Sequence, residues 1–416
     1  MTFVEIMESS GDARPKRKYY LAGLGTLYAL VILLSAARFA GWPFEGWRGQ
    51  LVDFHDFYIA AVLTADGHAE RAYNFTDLIT EQRRLFGAWG MMPWTYPPQF
   101  DLLVAPLSRL PIGAAYALFA SLTLGAYALT IRRLAPGQLL QLFLLIAPAI
   151  VVTARCGQNG FLTGALIGAT AIGLLQGRAW AGLPLGLMVI KPHLAVAFAL
   201  HVLISRRYNV ALVAAMVVAF TSLVATIAFG FDIWPAFFGA VKEAGGFLAR
   251  GLYPHYRMVS GYAMARSLGF SSAVGAAVQL VFAAAGLVAT ALAVIRFNPR
   301  QAIGVAAIAS VMISPYAYDY DLPVYGVGVA MLLGDLSRYG APRERFALYV
   351  YVLCVQITAF VLAIRADWLG PLHPAPVSIA CLTVVATLFT AWRILERARP
   401  QTILQGQTAR AETCAI

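Results

Sequence analysis

Residues 14–40 read RPKRKYYLAGLGTLYALVILLSAARFA. A basic start, Arg14-Pro15-Lys16-Arg17-Lys18, opens onto an almost wholly apolar run over 19–40. At about 22 residues the run matches the ~20 that an α-helix needs to cross a bilayer, and it exceeds the roughly 7–15 of a signal peptide's apolar core. Ser35-Ala36-Ala37 would suit a cleavage site, but the length favours an uncleaved first span with the N-terminus in the cytoplasm.

The same pattern repeats along the chain. The 416 residues are 60% hydrophobic and 12% charged, with a mean hydropathy of +0.70; a soluble domain carries about a quarter charged residues. Apolar blocks of about 16 to 24 residues recur, so the chain reads as an all-α, polytopic transmembrane protein. A net charge of +11 would suggest nucleic acid in a soluble protein. Here the basic residues gather at the ends of apolar blocks, as the positive-inside bias requires. The expected partner is the lipid bilayer, with no nucleic acid. Cys156, Cys354, Cys381 and Cys414 show neither metal spacing nor a disulfide framework.

Placing the basic clusters in the cytoplasm gives a zigzag of about ten full spans plus one pair of half-helices. The half-helices, 180–190 and 194–204, meet at Lys191-Pro192-His193. A cation and a proline at membrane depth are tolerated only where they face protein or a polar cavity. The organisation is then a basic cytoplasmic N-terminus (1–18), a single transmembrane domain (19–393) and a polar cytoplasmic tail (394–416) with no expected order. Within the domain, 41–98 is a first outer loop carrying amphipathic helices, and 231–270 is a second outer loop.

The first outer loop holds the least ordinary residues. Asp53 and Asp56 are three apart, so on a helix they share a face. Such a pair on an aromatic-rich helix at a membrane surface suits a general base; the plain alternative is a solvated helix lying on the membrane. Other unexpected polar groups fall on the same side: Arg155, Gln158, Asn159, His255, Arg257, Asp319 and Asp321. Carboxylates for base work and cations for a phosphate, around one membrane-facing cleft, fit a lipid-phosphate substrate. Each also has a structural reading. Asp319-Tyr320-Asp321 resembles a metal-binding Asp-x-Asp but equally fits a helix cap. Gly157-Gln158-Asn159-Gly160 equally fits a tight turn. Lys191 fits a structural ion pair, and His193 a hydrogen-bonded core histidine.

The order of these pieces carries a resemblance. Asp53-Phe54-x-x-Phe57-Tyr58-x-Ala60-Ala61 is followed by Ala72-Tyr73-Asn74, Trp94-Thr95-Tyr96-Pro97-Pro98 and Ala105-Pro106-Leu107. Then come Gly157-Gln158-Asn159-Gly160, Lys191-Pro192, Arg257-Met258-x-Ser260 and Ser314-Pro315-Tyr316-x-Tyr318-Asp319-Tyr320-Asp321. The ordered set resembles glycosyltransferase family 87, with the GT-C membrane fold, over nearly all of 19–392. The resemblance implies a polyprenyl-phosphate sugar donor, most often mannose, a glycolipid or glycan acceptor, and transfer on the periplasmic side of the inner membrane, both termini being cytoplasmic. It carries the catalytic Asp to Asp53, with Asp56 second. Arg155, Lys191, His193 and Arg257 are the expected donor-phosphate ligands. Tyr58, Tyr96, Gln158, Asn159, His255, Asp319 and Asp321 are expected to line the cleft. A glycosyl phosphate has a good leaving group and needs little general-acid help, and arginine and lysine can neutralise the departing phosphate, so no cofactor or metal is required, with Asp319-Tyr320-Asp321 keeping a metal as the alternative. Asn74 stands where many members have Asp, so no function is carried to it. The alternative function is a transporter or a flippase for lipid-linked sugars, since broken helices and mid-membrane cations also occur there.

Overall fold

The chain folds as a succession of helices. α1 (Arg17–Phe39) leads to α2 (Asp53–Ala65) and α3 (Phe75–Phe86) in the acidic loop, then to α4 (Pro98–Val104) and α5 (Ile112–Leu134). α6 (Leu139–Leu145) and α7 (Ala147–Cys156) form a bent pair, and α8 (Gly160–Leu175) follows. α9 (Gly182–Leu187) and α10 (Val196–Ile204) flank a break at Lys191. α11 (Tyr208–Phe229), α12 (Ile233–Arg250), α13 (Gly261–Ser267) and α14 (Ser272–Arg296) precede α15 (Pro299–Ile313), α16 (Leu322–Tyr339), α17 (Pro342–Leu369) and α18 (Ala380–Thr413). This computed structural model describes residues 17–41, 51–369 and 376–413. The basic stretch before Arg17, the start of the acidic loop at 42–50, part of the expected short loop at 365–374, and Cys414 lie outside the described residues.

Among the described residues, four helices are long and apolar enough to cross a membrane: α1, α5, α11 and α14. The α6–α7 pair, bent by 60°, makes a fifth if read as one span. The sequence pattern predicts about ten, and the difference has a physical source. Hydropathy marks a buried bundle helix and a lipid-facing span alike. α15 has 15 residues, about 22 Å at 1.5 Å each, against a hydrocarbon core of ~30 Å. From Ala302 to Met312 it is wholly buried, as is α16 from Leu322 to Leu333. The two pack on each other and on α8 and α14, and form the centre of the bundle. α11 is the opposite case. Leu212, Phe220 and Ile227 are 61%, 66% and 76% exposed, an apolar face of the kind a bilayer covers.

The bend between α6 and α7 follows from Pro148, at the first turn of α7, which cannot donate to the preceding turn. Gln356 of α17 repairs the break. Its Nε2 donates to the Leu145 carbonyl at 2.9 Å, and its Oε1 accepts from the Ala149 N–H at 3.2 Å. Backbone groups freed at membrane depth need such a partner. The break in the next segment falls where the sequence places it: Lys191 leaves helical geometry (φ −145, ψ 69) immediately before Pro192.

Three expectations need correction. α2 is not a solvated amphipathic helix: Phe54, His55, Asp56, Phe57, Ile59, Ala60, Ala61 and Leu63 are all buried. Its apolar residues surround the helix and pack on α4 and the turn after it. α3 alone of the two is amphipathic, burying Leu78, Glu81 and Gln82. The second outer loop contains an 18-residue helix, α12; Trp234, Phe237, Val241 and Ala244 share one face of it at helical spacing. The polar tail is helical as far as Thr413, continuing α18.

Candidate active site

A cavity of about 590 Å³ lies between the acidic loop, the break at Lys191, α11, α12 and the segment 314–320. Asp53 and Asp56 are in its wall, and so are Lys191, His193 and Arg257.

The acid side is built by α2. The helix begins at Asp53, with the Val52 N–H donating to His55 Nδ1 at 3.1 Å. Carboxylates in a first helical turn are favoured by the helix dipole. Phe57 anchors the turn through edge-to-face contacts with Trp94, Tyr96, Phe100 and Phe119 at 5.1–5.8 Å. Asp53 Oδ1 accepts from Gln158 Nε2 at 2.9 Å. The orientation of that amide is set from behind: Tyr96 Oη at 2.8 Å and the Asn159 N–H at 3.0 Å both donate to Gln158 Oε1.

The turn at 157–160 makes this approach possible. Gly157 closes α7 in the left-handed region (φ +70), and a Cβ there would lie 2.5 Å from Phe54 Cβ. Gly160 opens α8 against the carbonyl of Tyr320, inside contact distance of any added Cβ. The same four residues thus touch the acid side and the segment that organises the cations. Gly160→Ala is expected to destabilise the fold by about 3 kcal/mol, read as lost monodisperse protein in detergent. Gly137→Ala, with nothing within 4 Å, should behave as wild type.

Asp56 differs from its neighbour. It is 5% exposed and accepts from Gln82 Nε2 at 3.0 Å. Burial raises its pKa well above the carboxylate range; the Gln82 hydrogen bond opposes the shift, and the Asp53 charge adds to it. A carboxyl shifted toward its neutral form is less available as a base than an ionised one. Asp56→Asn reproduces the neutral shape, so it is expected to lower any activity of the site by no more than about tenfold.

The cation side rests on Tyr318-Asp319-Tyr320-Asp321. Lys191 Nζ lies 2.7 Å from Asp321 Oδ1 and 4.8 Å from the Tyr320 ring centroid. Arg257 forks onto Asp319, with Nε to Oδ2 and Nη2 to Oδ1 both at 3.0 Å, and sits 5.6 Å from the Tyr320 centroid. Tyr318 stacks on Tyr320 with centroids 4.9 Å apart. The 257–259 stretch is pinned to this segment by the Val259 N–H bond to the Ala317 carbonyl at 2.8 Å. Asp319 and Asp321 are each 1% exposed. They serve as counter-ions for two different cations and do not face one shared ion. Among the described residues, no group of three or more His, Cys, Asp or Glu side chains could hold a metal.

The cavity therefore brings together Asp53, Asp56, Tyr96, Gln158, Lys191, His193 and Arg257. The remaining candidates stand outside its wall. Arg155 precedes the Gly157 turn, and Gln158 beyond it takes the cavity position. Tyr58 donates to the Leu110 carbonyl at 3.0 Å. Asn159 is fully buried, His255 sits beside Arg257 in a short turn, and Asp319 and Asp321 act through their cations. Sequence reading gave no cleft role to Trp94, Gln99, Ser222, Trp234, Phe237, Tyr253, Tyr318 and Tyr320, all in the wall. For Trp234 and Phe237 the helical spacing was available as a signal.

Residues 94–315 match glycosyltransferase family 87. The matched stretch holds Tyr96, Gln158, Lys191 and Arg257, while Asp53, Asp319 and Asp321 lie beyond its ends. None of the curated proteins and none of the solved structures matches the chain. With more than half of its length matched, and with helices long and apolar enough to cross a membrane, the chain belongs to glycosyltransferase family 87, a family of membrane glycosyltransferases.

Proposed function

We propose that the protein moves a hexose, mannose in the first instance, from a polyprenyl-phosphate donor to a hydroxyl of a glycolipid or glycan acceptor, at the periplasmic face of the inner membrane. One observation carries the reading: Asp53 and the Lys191/Arg257 pair open onto the same cavity. Asp53 takes the acceptor proton as the acceptor oxygen bonds to the anomeric carbon. The bond from that carbon to the phosphate oxygen breaks, and its electrons leave with the phosphate. Lys191 and Arg257 neutralise the departing charge. Each is already oriented by a buried carboxylate, so little reorganisation accompanies the reaction. The apolar wall from Val218, Trp234, Phe237 and Val241 suits the prenyl chain of the donor.

A single displacement inverts the anomeric centre. Purified protein given a β-linked polyprenyl-phosphate sugar and a membrane lipid extract should yield an α-linked product, read by NMR; a β-linked product would rule out the mechanism. The proposed sidedness is checked by single cysteines at Gly67 and Ala341, which should label from opposite faces of the membrane. Labelling from one face would remove the zigzag.

A further inference from the structure

The cavity contains a buried polar group that the mechanism above does not use. Gln99, in the first turn of α4, is 8% exposed and belongs to the cavity wall. Its Nε2 donates to Ser222 Oγ on α11 at 2.8 Å, while its Oε1 is buried without a partner among the described residues. The conclusion does not depend on which end of the amide is oxygen. Rotating the amide would let Ser222 donate to the oxygen and leave the NH2 unpaired. In either state one end is latched to Ser222, and the other has lost water and gained nothing. Native interiors rarely leave such a group unsatisfied. Around Ser222 the wall is apolar, from Val218, Trp234 and Phe237, so the surrounding protein supplies no obvious replacement.

We propose that Gln99, latched by Ser222, is a specificity-determining residue that reads one hydroxyl of the saccharide bound in this cavity. The proposal rests on the reading of the cavity as the substrate site. A sugar hydroxyl is both donor and acceptor, so it satisfies the free end in either orientation once the Gln99 side chain turns that end, buried in this structure, toward the cavity. A site with a buried amide also rejects a ring lacking that hydroxyl, because the amide is then left unpaired. The hydroxyl belongs either to the transferred sugar or to the acceptor glycan, and the two share the chemistry.

Saturation-transfer NMR tests this on the full chain in detergent, with methyl glycosides of mannose, glucose, galactose and arabinose as probes. At least one glycoside should receive saturation from the wild type. Gln99→Met, similar in length and without the amide, should weaken its binding about tenfold, and Ser222→Ala on the lipid-facing helix should weaken it less. No signal with any glycoside, or wild-type binding by both variants, would overturn the proposal. If Gln99→Met fails to fold, Ser222→Ala decides alone: unchanged binding overturns. Adding the polyprenyl-phosphate sugar then identifies the source. Displacement of the glycoside assigns the transferred sugar, and persistence assigns the acceptor. A Gln99-dependent glycoside signal without any transfer from polyprenyl-phosphate donors would leave this inference standing and remove the donor assignment.

Discussion

Asp53→Asn is expected to lower transfer about a thousandfold, the middle of the range for loss of a general base, while the protein stays folded. Asparagine has the shape of aspartate and can still accept the hydrogen bond from Gln158 Nε2. What it loses is basicity. The effect on donor binding has a definite sign. The Asp53 charge acts on both Lys191 and Arg257, the cations assigned to the donor phosphate, and it repels that phosphate. Removing the charge should leave donor affinity unchanged or slightly tighter, so the loss should appear in turnover and not in KM. The contrast with Asp56→Asn is the informative part. Burial shifts Asp56 toward its neutral form, so its amide variant should stay within about tenfold of wild type. Normal turnover by Asp53→Asn beside a dead Asp56→Asn would reverse the assignment.

Neutralising the Lys191–Asp321 pair has the second-largest expected effect. Lys191→Met alone is ambiguous, because it leaves Asp321 buried and unpaired, at a cost of about 3–5 kcal/mol. The double variant Lys191→Met with Asp321→Asn removes both charges together and should remain folded. Transfer should then fall about a hundredfold, the lower end for removal of one transition-state donor, with weaker binding of sugar-free polyprenyl phosphate. If the double variant is folded and binds and turns over normally, the pair is purely structural. Arg257 offers a parallel case. Arg257→Lys keeps the charge but cannot make the two-pronged contact with Asp319.

Local chemistry was legible in the sequence, and partnerships were not. The break at Lys191 could be read because Pro192 divides two half-length apolar runs, and no other partner was needed to see it. Asp53 was visible as an acid in a chain that is 12% charged. The role of Asp319 and Asp321 was hidden because their cations lie 62 and 130 residues away in sequence. Two carboxylates two apart look like one metal site until the fold shows that each faces its own cation. Among the described residues the four or five helices long and apolar enough to cross a membrane are fewer than the ten expected, for a related reason. α15 is as apolar as a span, but its neighbours are α14 and α16 where a span would meet lipid. α12 was read as part of the second outer loop; its Lys242 and Arg250 are exposed, and its apolar face covers the cavity. Gln99 gave no signal at all; only its burial and its missing partner single it out.

The central claim is that a sugar is transferred from a polyprenyl phosphate in the cavity between Asp53 and the two cations. The most direct test incubates purified protein and a membrane lipid extract with either a panel of polyprenyl-phosphate sugars or the corresponding nucleotide sugars, and follows the products by mass spectrometry. The account predicts one added hexose on a membrane lipid or glycan from a polyprenyl-phosphate donor, with mannose the first candidate, and none when Asp53 is Asn. Transfer from the nucleotide sugars alone, or undiminished transfer by Asp53→Asn, would contradict it.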